Sequence, residues 1–353
     1  MNIADLVRRN IRELKPYSSA RDEFSGEAAV FLDANENPYP SPFNRYPDPL
    51  QKKLKERISE LKGVSQEKIF LGNGSDEAID LIIRAFCEPA QDAILITEPT
   101  YGMYAVCADV NNVAVKRVPL TKDFQLDFDA VLAQADTSVK VIFLCSPNNP
   151  TGNLLDRNAI LRLAREFQAI VVVDEAYIDF AGTESLTRDL DENPNLVVLQ
   201  TLSKAWGLAG LRLGMCFASS FIINILNKIK YPYNISSLTQ QYALEALQDE
   251  QRKGEWVREI LSERTAVVAA LKELPIVHQI YPSNANFILV KVENAPLIYR
   301  KLMELGTIVR DRSRVILCDN CLRITIGTPT ENDILIRQLS ELATAELTSK
   351  SSS

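Results

Sequence analysis

Apolar runs alternate with stretches of helical periodicity over the first two thirds of the chain. Several runs, such as Val139–Cys145 and Ala169–Asp174, are apolar at nearly every position, which is typical of strands buried on both faces of a sheet. Between these two runs, Asp156 precedes apolar residues at helical spacing, as expected for a capped helix. This order predicts an α/β fold with a mostly parallel sheet. The predicted strands are Ala93–Thr97, Ala114–Pro119, Val139–Cys145, Ala169–Asp174, Leu196–Gln200 and Leu213–Ala218, preceded by a short apolar run at 69–71.

The pattern changes near residue 270. Helical periodicity dominates from Leu238 to Leu274, and beyond Pro275 short strands and helices follow, which predicts a small α+β domain with a partly exposed sheet. The start of the chain is rich in Pro, Asn and Tyr and predicts an irregular arm. We therefore expect an arm over 1–48, a large domain over 49–270 and a small domain over 271–353. The elements predicted in the small domain are strands at Phe287–Val292 and Leu322–Ile326 and helices at Pro296–Leu305 and Asn332–Leu347.

Composition places the chain among ordinary globular proteins. Of its 353 residues, 46% are hydrophobic and 24% are charged, which argues against a disordered chain or a coiled coil. With 39 basic and 46 acidic residues, the formal net charge of −7 argues against a global basic footprint for nucleic acid. The longest apolar runs, such as Ala266–Leu271, are far shorter than the roughly 18 residues of a membrane helix. We expect a cytoplasmic protein with no nucleic-acid or membrane partner.

Histidine and cysteine usage disfavours whole classes of chemistry. His278 is the only histidine, so Ser-His-Asp, Cys-His and multi-histidine metal sites are disfavoured. Cys318 and Cys321 have C-x-x-C spacing but lack the second pair of ligands that a zinc site requires. We expect buried, reduced cysteines and no metal.

Polar residues cluster where the predicted strands end, which is where ligands bind in open α/β sheets. Gly72–Asp76 offers backbone amides at a helix start, which suits a phosphate, although a plain turn with Ser75 or Asp76 as helix cap is the alternative. Asp174 ends a buried strand and needs a partner to offset its burial. Lys204 lies among apolar and small residues after the next strand, where burial lowers a lysine pKa and makes the amine a nucleophile.

A single ligand satisfies these clusters together. The rigid loop Ser146–Gly152 aims asparagine amides, and Thr201, Ser203 and Arg212 flank Lys204 as anion-binding groups. A ligand with a phosphate, an aldehyde for the lysine and a heterocyclic cation for the aspartate is pyridoxal 5′-phosphate. The sequence therefore predicts an enzyme that uses this cofactor.

Four motifs resemble those of the fold-type I aminotransferases, and the resemblance extends over nearly the whole chain. These motifs are Ser146–Gly152 (SPNNPTG), Asp174–Tyr177 (DEAY), Ser203–Lys204 and Gly210–Arg212 (GLR). Other stretches resemble the histidinol-phosphate aminotransferases within that family, for instance Leu32–Pro38 (LDANENP) and Cys321–Gly327 (CLRITIG). The chain departs at Trp206, where many relatives carry another aromatic residue.

The resemblance implies roles for the residues at the strand ends. Lys204 holds the cofactor as a Schiff base and moves the substrate proton. Asp174 keeps the pyridine nitrogen protonated, and Tyr177 and Asn149 bond the ring hydroxyl. By the same resemblance, the remaining cofactor ligands are Tyr101 on the ring face and Ser75, Asp76, Thr201, Ser203 and Arg212 around the phosphate.

The resemblance also implies a homodimer, in which the arm contacts the small domain or the partner and Tyr46 reaches the partner's cofactor. Arg323 binds substrate anions, with Arg310 and Tyr17 as helpers at the phosphate end and Asn35 as a further substrate contact. For Tyr17, a packed aromatic without a substrate role is the alternative. The implied reaction converts L-histidinol phosphate and 2-oxoglutarate to imidazole-acetol phosphate and L-glutamate, in histidine biosynthesis.

Other functions fit less well. Aromatic aminotransferases and threonine-phosphate decarboxylases share every cofactor residue, so they are the nearest rivals. A cofactor-binding sensor domain of a transcription regulator needs a basic DNA-binding module, which this chain does not show. A dinucleotide dehydrogenase needs a third glycine where Glu77 stands.

Overall fold

The computed structural model describes residues 3–17 and 30–351, with residues 345–351 described by their backbone alone. Within these ranges the chain forms a seven-stranded and a four-stranded sheet, and no helix is long and apolar enough to cross a membrane. The strands are β1 (Ile69–Asn73), β2 (Ala93–Glu98), β3 (Ala114–Pro119), β4 (Val139–Cys145), β5 (Ile170–Asp174), β6 (Leu196–Thr201), β7 (Leu213–Ala218), β8 (Val277–Ile280), β9 (Phe287–Val292), β10 (Arg310–Asp311) and β11 (Cys321–Thr325). The helices are α1 (Arg9–Glu13), α2 (Lys52–Lys62), α3 (Gly74–Phe86), α4 (Met103–Val110), α5 (Phe128–Gln134), α6 (Arg157–Glu166), α7 (Ser220–Ile229), α8 (Ser237–Ala246), α9 (Glu250–Lys272), α10 (Ala295–Glu304) and α11 (Pro329–Ser351).

The larger sheet has the strand order β1-β7-β6-β5-β4-β2-β3. The five strands from β3 to β6 pair in parallel, whereas β7 runs antiparallel to both of its neighbours, β6 and β1. Every strand except β7 therefore points the same way, and the carboxyl ends of these strands lie along one edge. The predicted α/β fold with a mostly parallel sheet is confirmed.

Helices cover both faces of this sheet, which explains why apolar and polar residues do not alternate along its strands. Along β5, Ile170 and Val172 belong to one buried apolar cluster, and Val171 and Val173 belong to another. Successive side chains of a strand point to opposite faces, so each face has its own core. Helix α3 packs into the first cluster, and α2 and α6 pack into the second.

The smaller sheet has the order β10-β11-β9-β8 and is antiparallel throughout. Ile288 and Val290 of β9 pack against side chains of α9, α10 and α11. Between them, Leu289 points the other way and joins the core of the large sheet. Strand β8 has no fully buried residue, so the expectation of a partly exposed sheet is confirmed.

The N-terminal segment differs from the sequence prediction. Residues expected to be irregular form a 3-10 turn at Ile3–Leu6 and helix α1. Ile3 and Val7 are buried in the same cluster as α3, and Arg8 forms an ion pair with Glu88. The prediction of an irregular arm is wrong here because a helix of five residues is too short to show periodicity, and packing against the rest of the chain stabilises it.

Strand β7 passes so close to the start of α3 that only glycine fits at position 214. A Cβ atom there lies 2.1 Å from the Ser75 nitrogen and 2.2 Å from the carbonyl carbon of Gly74. We expect Gly214→Ala to displace α3 and to lower the free energy of unfolding by about 1–3 kcal/mol, measured by urea denaturation. Gly254→Ala in α9 is the control, because its Cβ meets only Arg258 Nη1 at 3.5 Å. This substitution should raise the free energy of unfolding by about 0.4–1 kcal/mol. Equal effects of the two substitutions contradict this prediction.

Candidate active site

The carboxyl ends of the parallel strands surround a cavity of about 600 Å³, a size that suits a small-molecule ligand. Strands β1, β4, β5 and β6 end here, and β7 begins here, because the topology aligns them along one edge. Most of the site residues predicted from the sequence line this cavity. They are Ser75, Asp76, Tyr101, Asn149, Asp174, Tyr177, Thr201, Ser203, Lys204, Arg212, Arg310 and Arg323.

Asp174 is the last residue of β5 and is only 3% exposed. Its carboxylate accepts hydrogen bonds from the Tyr104 hydroxyl at 2.9 Å and from the Ala176 amide at 3.0 Å. Burial raises the pKa of Asp174 to about 6, and the two hydrogen bonds oppose this rise. Such a carboxylate gains most from a cation or a proton donor placed beside it.

Tyr104 supports Asp174 from α4, and the sequence analysis missed this role. Its ring is fully buried and stacks on Phe143 with ring centroids 4.8 Å apart. Burial and the charge of Asp174 raise the pKa of Tyr104 well above its usual value, so the hydroxyl stays protonated and donates. Tyr101 meets Tyr104 edge to face at 5.5 Å. A tyrosine three residues after a predicted ring-stacking tyrosine is the only signal that the sequence offered.

Lys204 follows β6 and is half-buried in the cavity wall. Burial and the positive charge of Arg323 lower the pKa of Lys204, while the carboxylate of Asp174 opposes the change. The Nζ atom lies 5.5 Å from the ring centroid of Tyr177. A lowered pKa increases the fraction of neutral amine, which is the nucleophilic form.

Helix α3 begins at Gly74, directly after β1, with Asn73 as its N-cap and no side-chain cap. The alternative that Ser75 or Asp76 caps this helix is therefore wrong, because both residues lie inside its first turn. The first-turn amides have no partner within the helix, and the positive end of the helix dipole lies here. This arrangement favours an anion.

Arg212 completes this anion-binding wall. Its carbonyl accepts a hydrogen bond from the Gly74 amide at 2.7 Å, and its Nη2 donates to Asp76 Oδ2 at 3.2 Å. The Thr201 hydroxyl donates to Ser203 Oγ at 3.0 Å on the same side of the cavity. A guanidinium, two hydroxyls and a helix start together can hold a phosphate.

Arg323 of β11 links the small sheet to the large one. Its Nη1 donates to Asn149 Oδ1 at 2.6 Å, and the Asn149 amide donates to the Tyr177 hydroxyl at 3.4 Å. Arg310 of β10 pairs directly opposite Arg323 in the antiparallel ladder. Because like charges directly opposite each other destabilise a sheet, this pair favours a bound anion. Arg312, which the sequence analysis did not single out, also lines the cavity.

Three predicted site residues do not line this cavity. Asn35 and Tyr46 line a separate hollow, where Tyr46 stacks on Tyr233 with ring centroids 4.4 Å apart. Tyr17 is 72% exposed within this chain and lines another hollow beside Tyr231, so the alternative of a packed aromatic also stays a prediction. Any site role of these three residues stays a prediction.

The six cysteines are buried free thiols, as expected. Burial raises the pKa of Cys318 to about 12 and that of Cys321 to about 11, so both thiols stay protonated near neutral pH. Among the residues that the structure describes, no group of three His, Cys, Asp or Glu side chains could hold a metal ion.

This chain is similar in sequence and in structure to known proteins of one family. The sequence pattern of the family described as "Aminotransferase class I and II" matches residues 29–339. The histidinol-phosphate aminotransferase of Parabacteroides distasonis is 58% identical over 341 residues, covering 97% of this chain and 99% of the relative. That of Bacteroides fragilis is 56% identical over 338 residues, covering 96% and 98%. The crystal structure of histidinol-phosphate aminotransferase from Sinorhizobium meliloti in complex with pyridoxal-5′-phosphate shares the fold, with a TM-score of 0.79, 24% identity and coverage of 88% and 90%.

We expect Asp174→Asn to flatten the pH dependence of stability in cofactor-free protein. The folded chain binds the Asp174 proton more tightly than the unfolded chain, because its pKa rises to about 6 on burial from about 3.9. The wild type therefore loses stability as the pH rises from about 4 to about 6. At about 1.4 kcal/mol per pH unit, the loss is about 2–3 kcal/mol. Urea denaturation across this range measures the difference between the two pH profiles.

Asp109→Asn is the control for that experiment. Asp109 is exposed near the end of α4, so its replacement should leave the profile as in the wild type. If Asp174→Asn keeps the wild-type pH profile, Asp174 does not titrate as a buried carboxyl with a raised pKa.

Proposed function

The chain belongs to the class I and II aminotransferase family, and we propose that it interconverts L-histidinol phosphate and 2-oxoglutarate with imidazole-acetol phosphate and L-glutamate, in histidine biosynthesis. The observation that carries the proposal is the convergence in one cavity of Lys204, the buried Asp174 and the opposed pair Arg310 and Arg323. The curated relatives with 58% and 56% identity, both named histidinol-phosphate aminotransferases, support this substrate.

The cavity fits pyridoxal 5′-phosphate at three places. The buried carboxylate of Asp174 fits a protonated ring nitrogen, the start of α3 with Arg212 fits a phosphate, and the amine of Lys204 fits an aldehyde. When bound, this cofactor supplies an electron sink for the negative charge that develops on the substrate carbon. The ring of Tyr101 lies in the same cavity wall and offers a face for stacking.

Lys204 has two tasks in this proposal. Its amine would hold the cofactor, which requires the neutral form that burial and the charge of Arg323 favour. With the cofactor and the substrate bound, Lys204 Nζ would also take up and return a proton at the substrate carbon. The negative charge of Asp174 stabilises the protonated form of Lys204 and so opposes the loss of the lysine proton. Burial and Arg323 favour the neutral amine, and Asp174 favours the protonated amine. This balance suits an amine that must both take up and release a proton.

Asn149 and Tyr177 orient the reacting groups. The hydrogen bonds from Arg323 to Asn149 and from Asn149 to Tyr177 hold three polar side chains in one row. Tyr177 is further fixed by Phe287, which meets its ring edge to face at 5.0 Å. We infer that the tyrosine hydroxyl and the asparagine amide contact the ring hydroxyl of the cofactor.

The two arginines account for substrates that differ in their charged groups. Glutamate carries a carboxylate on its reacting carbon, whereas the same carbon of histidinol phosphate bears a methylene phosphate. A guanidinium fork pairs with either anion. Arg323 is half-buried and Arg310 is exposed, so we infer that Arg323 serves both substrates and that Arg310 helps the larger phosphate.

We propose that the enzyme acts as a homodimer in the cytoplasm, without a nucleic-acid or membrane partner. Exposed apolar side chains around the hollow that Tyr46 lines support an association surface: Phe43 is 57% exposed and Tyr46 is 50% exposed. In such a dimer, Tyr46 would reach from the hollow that it lines into the cofactor site of the partner. Asn35 and Tyr17 would approach the substrate.

A single half-reaction tests the proposed function. Histidinol phosphate added to cofactor-loaded protein without an oxo acid should convert the cofactor from its aldehyde to its amine form, read by absorbance, and 2-oxoglutarate should reverse the change. Lys204→Ala should bind the cofactor and show no conversion, while Lys301→Ala, on the exposed face of α10, should behave as the wild type. Faster conversion of aromatic amino acids, or release of carbon dioxide from threonine phosphate, supports a rival function instead.

We expect Arg323→Leu to weaken both half-reactions. Loss of one charge-assisted pair costs about 1.5–3 kcal/mol, about ten- to a hundredfold in kcat/KM. Arg310→Leu should impair histidinol phosphate more than glutamate, because an exposed guanidinium helps only the larger anion. Arg300→Leu, exposed on α10, is the matched control. An unchanged kcat/KM of Arg323→Leu for either substrate refutes the shared anion site.

A further inference from the structure

A second cavity of about 450 Å³ adjoins the first and shares Tyr101, Asn149 and Arg312 with it. Its remaining charged lining residues are Glu98 and Arg314. The volume is sufficient for part of a small-molecule substrate. A substrate that reacts in the first cavity can therefore extend past Arg312 into the second.

The second cavity carries an excess of positive charge. The carboxylate of Glu98 is already paired with Arg117 at 2.5 Å. Neither Arg312 nor Arg314 forms an ion pair with any residue that the structure describes. Two arginines with no ion-pair partner in the described part of the chain, beside one neutralised carboxylate, favour an anionic ligand.

Arg312, at the junction of the two cavities, has unused hydrogen-bonding capacity. Its Nε is buried without a partner among the described residues, and so is the hydroxyl of Thr100 in the second cavity. Burial and the positive charges of Arg323 and Arg310 lower the pKa of Arg312 to about 10. A guanidinium placed beside two others is costly unless an anion offsets the repulsion.

We propose that Arg312 is a specificity residue for the amino-group acceptor: it binds the distal carboxylate of a five-carbon dicarboxylate, 2-oxoglutarate or glutamate, whose first carboxylate lies on Arg323. The inference rests on the proposed function. It separates the tasks of the arginines, since Arg323 receives the anion beside the reacting carbon and Arg312 receives the anion at the far end of the chain.

Histidinol phosphate needs no such contact. At the place of the distal carboxylate it carries an imidazole, which is neutral or positively charged near neutral pH and gains nothing from a guanidinium. Loss of Arg312 should therefore impair the half-reaction with 2-oxoglutarate or glutamate and leave the half-reaction with histidinol phosphate nearly unchanged. A site built to pair with a charged group also discriminates against an analogue that lacks the group.

The test compares 2-oxoglutarate with 2-oxopentanoate, which has the same chain length and no distal carboxylate. In Arg312→Gln, the ratio of kcat/KM for the two acceptors should fall about ten- to a hundredfold, while 2-oxopentanoate and histidinol phosphate change less than about threefold. The dissociation constants of the unreactive acids glutarate and pentanoate, measured by calorimetry on the cofactor-loaded protein, should show the same loss for glutarate alone. Arg300→Gln is the matched control and should leave both ratios as in the wild type.

The outcomes separate this inference from the proposed function. An unchanged acceptor ratio in Arg312→Gln overturns the inference, and so does an equal loss for both acceptors, which indicates a structural role. A loss confined to histidinol phosphate overturns it as well, because Arg312 then belongs to the phosphate. If the wild type reacts with glutamate but not with histidinol phosphate, the proposed function fails, and the acceptor ratio still tests Arg312.

Discussion

The carboxylate buried at the end of β5 is the constraint on which the rest of the site depends. Desolvation raises the pKa of Asp174 to about 6, since the strand before it is apolar on both faces. Tyr104 and the Ala176 amide orient the carboxylate and reduce the free-energy cost of burying its charge, but they supply no positive charge. In the function that we propose, a ring nitrogen cation would supply that charge, and the buried acid of the cavity would then select the chemistry of the ligand.

A second constraint is an excess of positive charge on the small sheet. Arg310 and Arg323 lie opposite each other on β10 and β11, and Arg312 follows on the same segment. Burial and the charge of Arg310 lower the pKa of both Arg312 and Arg323, and the charge of Arg323 lowers that of Arg312 further, so a bound anion relieves the repulsion. The groups we assign to the cofactor thus come mainly from the large sheet, and those we assign to substrate anions come from the small one. Variation in the small sheet can change the substrate while the cofactor chemistry is retained.

The close packing of the two sheets connects these constraints. Arg323 reaches Asn149 at 2.6 Å, and Leu289 of β9 is buried in the core of the large sheet. Lys204 lines the same cavity as Arg323 and Asp174; burial and the charge of Arg323 lower the pKa of Lys204, while the carboxylate of Asp174 opposes this change. A change that shifts the small sheet therefore alters the charge around the lysine as well as the substrate contacts.

The sequence by itself determined the strands of the large sheet, down to the bounds of β3, β4 and β7. It also singled out Lys204 and Asp174, because a charged residue beside a buried strand is costly and therefore conspicuous in an apolar stretch. The tertiary structure alone decided the hydrogen-bond partner of Tyr104 and the position of Arg312. Tyr104 bonds a carboxylate 70 residues away, and Arg312 is distinguished from other arginines only by the cavities that it joins. Contacts between distant segments leave no periodicity and no local motif, so they become visible only when the chain is folded.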